Sequence, residues 1–430
     1  MLKLNPSLFF MLVAALANAL DIEVSGYDQE VVLSGQDNSK NNSNSPLCKK
    51  DQHTIENQND LYLLTNECSN IEGSISFQNY VESHIDLGDL KSIKGNFVLE
   101  ENNMVNSIQG GSLEKIGGTF KLFDLTSLSA VSFPQLRDLN VVHWRIVPIL
   151  SSVTMDSRLQ SIKSLIISDS SLTTLRGFDN IIKLETFNVN NNRYLESIST
   201  KIKYISKQLS VSANAEDLDL DMSDLIWANN VTVRDANEIN LGSLQYVNQS
   251  LEFIENKVEE LELSELKTVG GTLGIIDNKK LSKTNFNNVS QISGGLMIAN
   301  NDALTKIDFF SNLKLIGGAI QFKGNIKDTD FPNLRLVKGS AVIQSSSDEL
   351  DCSKWVTPNS GSSIIRGGKI ECEAKGKKSS ASVRQDGTVL DSVTEEKAEV
   401  KDKETNGSTT MGINFALLVV AIIGTIRMIS

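Results

Sequence analysis

Apolar residues in this chain recur in short alternating triplets, and the triplets recur at a nearly constant interval. Leu165-Ile166-Ile167, Phe187-Asn188-Val189, Leu209-Ser210-Val211, Val231-Thr232-Val233 and Leu251-Glu252-Phe253 each read apolar, any, apolar. That alternation marks a short strand with one face turned inward. Four further copies are preceded by glycines: Ile116-Gly117-Gly118-Thr119-Phe120-Lys121-Leu122, Val269-Gly270-Gly271-Thr272-Leu273-Gly274-Ile275, Ile292-Ser293-Gly294-Gly295-Leu296-Met297-Ile298 and Ile316-Gly317-Gly318-Ala319-Ile320-Gln321-Phe322. The second glycines of the last three fall at 271, 295 and 318, steps of 24 and 23 residues. A fixed period of this length predicts a solenoid whose coils bury their apolar faces against one another. Roughly a dozen coils fit between about residue 66 and about residue 355. The expected fold is mainly β, a right-handed parallel β-helix or leucine-rich-repeat-like solenoid. Glycines before the triplets suit tight corners with positive φ.

Two polar columns share the period. Asn192, Asn214, Asp235, Asn256, Asn278, Asn301 and Asn325 follow one another at steps of 21 to 24 residues. A side-chain amide at one corner of each coil can bond the backbone of its own coil and the next, and so form a ladder. The second column, Asp219, Asn240, Glu262, Asn285, Asp308 and Asp330, lies mostly between apolar neighbours and therefore points outward. Stacked carboxylates about 5 Å apart can bind a cation or sugar hydroxyls, or simply form a solvated face. The middle residues of the triplets, Asn188, Ser210, Thr232, Glu252, Gly274, Met297 and Gln321, form a mixed row on one sheet face. Such a row suits a polymer, a protein or bulk solvent.

Net charge changes the picture by exclusion. At −12, with a pI near 5.0 and no basic patch, the 430-residue chain is unsuited to nucleic acid. Residues 1–19 predict a secretory signal: Lys3 supplies positive charge, Leu8 to Leu16 the apolar stretch, and Ala17-Asn18-Ala19 the cleavage site. Secretion means an oxidising compartment. The four cysteines then pair, and Cys48 and Cys68 lie before the repeats, Cys352 and Cys372 at their end. A dozen coils separate those ends by roughly 55 Å, so local pairs Cys48 with Cys68 and Cys352 with Cys372 are expected, one capping each end. Zinc does not fit the spacing, and neither a metal nor a cofactor is expected. Glycosylation sequons stand at Asn41, Asn230, Asn248, Asn288 and Asn406.

Beyond Cys372 the repeat stops, and a charged, Ser/Thr-containing stretch over 374–406 reads as a disordered linker. The stretch from Phe415 to Ile426 is apolar but short for a bilayer span. With the small triplet Asn406-Gly407-Ser408 upstream, it predicts a glycosylphosphatidylinositol (GPI) signal, with the anchor on Asn406 and 407–430 removed. The remaining boundaries are an N-terminal segment and cap over 20–65 and two solenoid halves, 66–200 and 201–373. No G-x-S-x-G turn, H-E-x-x-H helix or phosphate-binding loop occurs, and His53, His84 and His143 lie in no motif. No catalytic residue is assigned. A paired-carboxylate enzyme built on Asp219, Glu262 and Asp308 is the rival reading, because two acids that meet only in space leave no spacing in sequence.

The phrases Asn188-Val189-Asn190-Asn191-Asn192-Arg193-Tyr194-Leu195, Leu225-Ile226-Trp227-Ala228-Asn229-Asn230-Val231-Thr232-Val233-Arg234-Asp235 and Gly242-Ser243-Leu244-Gln245-Tyr246-Val247-Asn248 resemble the fungal GPI-anchored cell-wall organisation proteins related to the sporulation-specific family. These are similar to receptor L domains. The resemblance covers about residues 60 to 373. It implies a non-enzymatic surface glycoprotein needed to assemble the vegetative or ascospore wall, with wall polysaccharides or mannoproteins as partners. It further implies attachment to the plasma membrane through the GPI lipid, and glycans on Asn230 and Asn248. Relatives carry a long Ser/Thr-rich stalk, whereas here Lys401 and Lys403 precede the anchor site and point to retention at the membrane. A receptor-like binder of a secreted protein is a third reading.

Overall fold

The computed structural model describes residues 45–156, 159, 162–357 and 362–396. Asn41, Asn406, the signal segment and residues 397–430 lie outside them.

Each triplet forms a strand, and the strands stack in parallel, the triplets in register and shifts falling ahead of them at Leu139/Val141 and Leu184/Thr186. Leu251, Leu273, Leu296, Ile320 and Ala341 stand over one another, as do Phe253, Ile275, Ile298, Phe322 and Ile343. The inward members are between 0% and 3% exposed, so alternation has become a continuous core. A shorter strand precedes each one, for example Thr268–Val269 before Leu273–Ile276, and it pairs with its own copies, Tyr246–Val247 and Gln291–Ile292. In the earlier coils the two merge into single strands such as Asp138–Val147 and Tyr204–Ser212. The result is a 25-stranded sheet running along a β-solenoid of about 13 turns. A third face carries short strands such as Ser197–Ser199, Asp219–Asp221 and Glu238–Asn240.

Aromatic rings fill the core toward both ends. Phe77, Phe97, Phe120, Trp144 and Phe178 follow one another with ring centroids 5.2 to 5.7 Å apart. Phe286, Phe309, Phe310, Phe331, Phe322 and Trp355 form a second run.

Caps close the described body. At the N-terminal end the helix Gln58–Glu67 begins at Asn57, whose side chain accepts from Asn59 N at 3.0 Å and Asp60 N at 3.1 Å. It buries Leu61 and Leu64 over the first coil and is tied down by Cys48–Cys68, with Cα atoms 5.6 Å apart. Cys352–Cys372 spans the same 5.6 Å at the other end.

Two expectations change. The first rung of the sheet, Gln52–Ile55, already pairs with Ser74–Phe77, so the stack begins before residue 66. The two solenoid halves share one sheet across residue 200, where Lys183–Asn190 pairs with Tyr204–Ser212. The expected linker is structured over its first part: Lys377–Val383 and Val389–Glu396 extend the terminal strand Lys369–Ala374 as antiparallel neighbours. Composition hid them, but Ala381 and Val383 alternate inward at 2% and 5% exposure, and their backbones pair an otherwise open sheet edge.

The glycines are explained by proximity rather than by φ. A Cβ on Gly270 would lie 2.0 Å from Asn248 O, one on Gly294 2.5 Å from Gly271 C, and one on Gly317 2.1 Å from Ser293 O. Positive φ falls instead on non-glycine residues once per coil, among them Ile146, Asn191, Ala213, Asp235, Asp277 and Asn300 at 50° to 61°. Gly294→Ala should therefore destabilise the protein by about 1–3 kcal/mol through overpacking against main chain that cannot rotate away. Gly111→Ala, with nothing within 4 Å, should leave the urea midpoint unchanged.

Candidate functional site

The ladder forms over most of its length. Asn192 Oδ1 accepts from Ser170 N at 3.1 Å, and its Nδ2 donates to Ile167 O at 3.2 Å and Asn214 Oδ1 at 3.0 Å. Asn256, Asn278 and Asn301 repeat the pattern: Asn256 N donates to Asn278 Oδ1, and Asn278 N to Asn301 Oδ1, both at 2.9 Å. Two assignments move. Asp235 is at the positive-φ corner, one residue early, and accepts from Ala213 N; the ladder position in that coil belongs to Ala236, whose N–H donates to Asn256 Oδ1. Asn325 is exposed, because the preceding Gly324 has φ 147° and takes the chain around that corner differently.

The acidic column also shifts. Asp219 pairs with Glu238, and it is Asp221 that stacks on Asn240. Glu262 stacks on Asn285 as expected. Asp219, Glu262 and Asp308 stand on alternate coils, about 10 Å apart along the stack, so they do not converge. Their neighbourhood pairs acids with cations: Lys283 bonds Glu260 and reaches Glu262 at 3.8 Å, and Lys354 bonds Asp328 at 2.8 Å. The hydrogen bond from Lys283 holds the Glu260 carboxyl below the usual range, and Lys354 does the same to Asp328. A general acid needs the opposite shift.

The central row is in register. Lys121, His143, Ile166, Asn188, Ser210, Thr232, Glu252, Gly274, Met297 and Gln321 occupy one position on successive coils. At its upstream end Lys121 is ion-paired with Glu100, and Arg145 stands two residues beyond His143. Burial raises the Glu252 carboxyl, partly countered by Arg234. Burial, then Arg145 and Lys121, lower the His143 pKa. His84 Nδ1 lies 2.8 Å from Ser107 Oγ on the third face, but the contact is exposed and the nearby Asp86 is engaged by Gly88 N and Gln109 Nε2. Among the described residues no cluster of His, Cys, Asp and Glu could hold a metal ion. Asn248 and Asn288 are exposed and Asn230 is half-buried.

The receptor L domain family matches residues 228–327. The chain is 46% identical over 354 residues to sporulation-specific protein 22 of Saccharomyces cerevisiae, covering 81% of this chain and 76% of that relative. Sporulation-specific protein 2 of the same yeast is 46% identical over 367 residues, 85% and 73% of the two chains. This chain belongs to that sporulation-specific family. A more distant member, the cell surface GPI-anchored protein ECM33 of Candida albicans, is 28% identical over 291 residues, 67% of this chain and 70% of its own. No solved structure matches. The sporulation-specific family is one of fungal cell-surface proteins.

Pattern reading missed one outward row of this family member, Tyr204, Trp227 and Tyr246. Their steps of 23 and 19 residues are uneven, and the signal was an aromatic residue four or five positions ahead of a triplet rather than a period.

Asn278→Ala should cost about 2–4 kcal/mol, because it strips partners from Asn256 N and Phe253 O inside the core, each unpaired group being worth about 1–3 kcal/mol. Urea unfolding measures it. His53 and His143 have folded pKa values below 6.5, so the unfolded chain binds more protons. Stability should fall as pH drops from 7 to 5, and His143→Gln should flatten part of that slope in thermal melts.

Proposed function

We propose that this protein is a non-enzymatic surface scaffold for assembly of the fungal cell wall, vegetative or ascospore, tethered to the outer leaflet by a GPI lipid on Asn406. The observation that carries this reading is the in-register central row on an unbroken solenoid, with Asp219, Glu262 and Asp308 spread over alternate coils. Such a surface is built to hold partners, namely wall polysaccharides or mannoproteins. The relatives support it by name: sporulation-specific proteins, a cell wall mannoprotein and GPI-anchored surface proteins. Asn230, Asn248 and Asn288 carry glycans in this reading, and Lys401 and Lys403 favour retention at the membrane.

A deletion strain should show heightened sensitivity to wall-binding dyes or defective ascospore walls, and the full-length gene should restore both. Normal walls at both stages would reject the reading. The rival enzyme would release new reducing ends from β-glucan, chitin or mannan and lose that activity on neutralising Asp219, Glu262 and Asp308; no release is expected.

A further inference from the structure

A second row of outward side chains runs along the short strands ahead of the corners. Tyr204 pairs with Trp227, and Trp227 with Tyr246, in unshifted parallel register. Three aromatic side chains therefore occupy one position on consecutive coils, about 4.8 Å apart. Tyr204 and Tyr246 are 47% and 39% exposed, and Trp227 is half-buried. The row continues into Thr268 and Gln291. Upstream it opens into a cleft of about 530 Å3 lined by Asp138, Lys163, Lys183, Glu185, Tyr204 and Ser206. Beside it lie the amides of Asn229 and Asn248, joined by a 2.8 Å hydrogen bond. Lys267 Nζ stands over one face of the Tyr246 ring, 5.3 Å from its centroid, and donates to Gln245 Oε1, so that face is taken and Tyr204 and Trp227 carry most of the row's stacking surface.

We propose that this row is a platform for a neutral, β-linked glucan chain; the proposal deepens the wall-assembly reading and rests on it. A pyranose ring whose hydroxyls are all equatorial presents flat C–H faces, and those faces stack on the electron-rich faces of aromatic rings. The coil spacing is close to the length of one such sugar unit, so consecutive rungs can meet consecutive sugars. Hydroxyls at the ring edges find amide and charged partners along the rim and in the cleft, the usual division of labour in a ligand site. Charge at the cleft is mostly paired, Lys115 with Asp138 at 2.5 Å and Lys207 and Lys163 with Glu185 at 2.5 Å and 3.9 Å, and Lys183 stands beside these pairs as a donor to sugar hydroxyls. Mannan fits less well, because the axial hydroxyl of mannose interrupts one face. The other occupant within reach is the protein's own glycan on Asn248, two residues beyond Tyr246.

The test is retention of detergent-extracted full-length protein on insoluble β-glucan and on mannan beads. Wild type should be held on β-glucan and released by soluble β-glucan. Trp227→Ala and Tyr204→Ala should each weaken retention at least tenfold. Trp227→Phe, which keeps an aromatic face, should recover most of it, Asn248→Gln reports on the glycan as the alternative occupant, and Tyr194→Ala, a control at an exposed tyrosine outside the row, should leave it near wild type. Melting midpoints establish that each variant is folded, and the exposure of Tyr204 keeps that variant safe. Equal retention of Trp227→Ala and Tyr204→Ala, equal loss in Tyr194→Ala, preference for mannan, or retention seen only in Asn248→Gln would each overturn the platform. A normal wall in the deletion strain removes the function reading whatever the beads show. A defective wall with beads that do not discriminate removes only the platform.

Discussion

Parallel pairing without a register slip requires every coil to repeat the path of the coil beneath it at a spacing of about 4.8 Å, set by main-chain hydrogen bonds. Each corner is therefore met by its own copy, and three features answer that demand. Where main chain crosses main chain at the inner corner, only glycine fits, since a Cβ on Gly294 would enter the backbone at Gly271. Where the chain leaves the long sheet, one residue per coil takes a positive φ so that the turn can close, and Asn or Asp fills most of those places. Just beyond it the amide ladder satisfies buried backbone groups that the turn would leave unpaired, with Asn192 and Asn278 fully buried.

The coils that depart from this rule are the ones that create relief. At Leu139/Val141 the single residue Asn140 faces the pair Gly117-Gly118, and at Leu184/Thr186 the single residue Glu185 faces Ser206-Lys207, so the register shifts by a bulge at both places. A bulge bends the strand and opens space beside it. Leu139, Asn140, Leu184 and Glu185 line the cleft that results, next to Tyr204. The aromatic row begins where this irregular stretch gives way to the regular coils. Backbone and surface are linked there, because the two bulges shape the ground beside Tyr204.

Stacking also disciplines charge. Identical charges on successive coils would repel at a separation near 5 Å, so a long single-sign column is unfavourable. On the third face Glu260 stacks on Lys283 and Lys306 on Asp328, and the carboxyls Glu260 and Asp328 are held ionised by their lysines. The alternation is local, since Asp219 stacks on Glu238 on the same face.

Residue identity alone determined the solenoid, its period, the central row and most of the ladder, because a period-two triplet repeated every two dozen residues can bury its apolar face in only one kind of stack. Cysteine placement likewise indicated both caps. Tertiary structure decided what depends on a neighbour's exact height. Ala236 rather than Asp235 takes the ladder position, Asp221 rather than Asp219 stacks on Asn240, and the glycines answer a close approach rather than a dihedral. The strands after Cys372 arose because an open sheet edge recruits whatever chain follows it, a demand that local composition does not record. Tyr204, Trp227 and Tyr246 are scattered along the chain, and only the register of their coils brings them into one line.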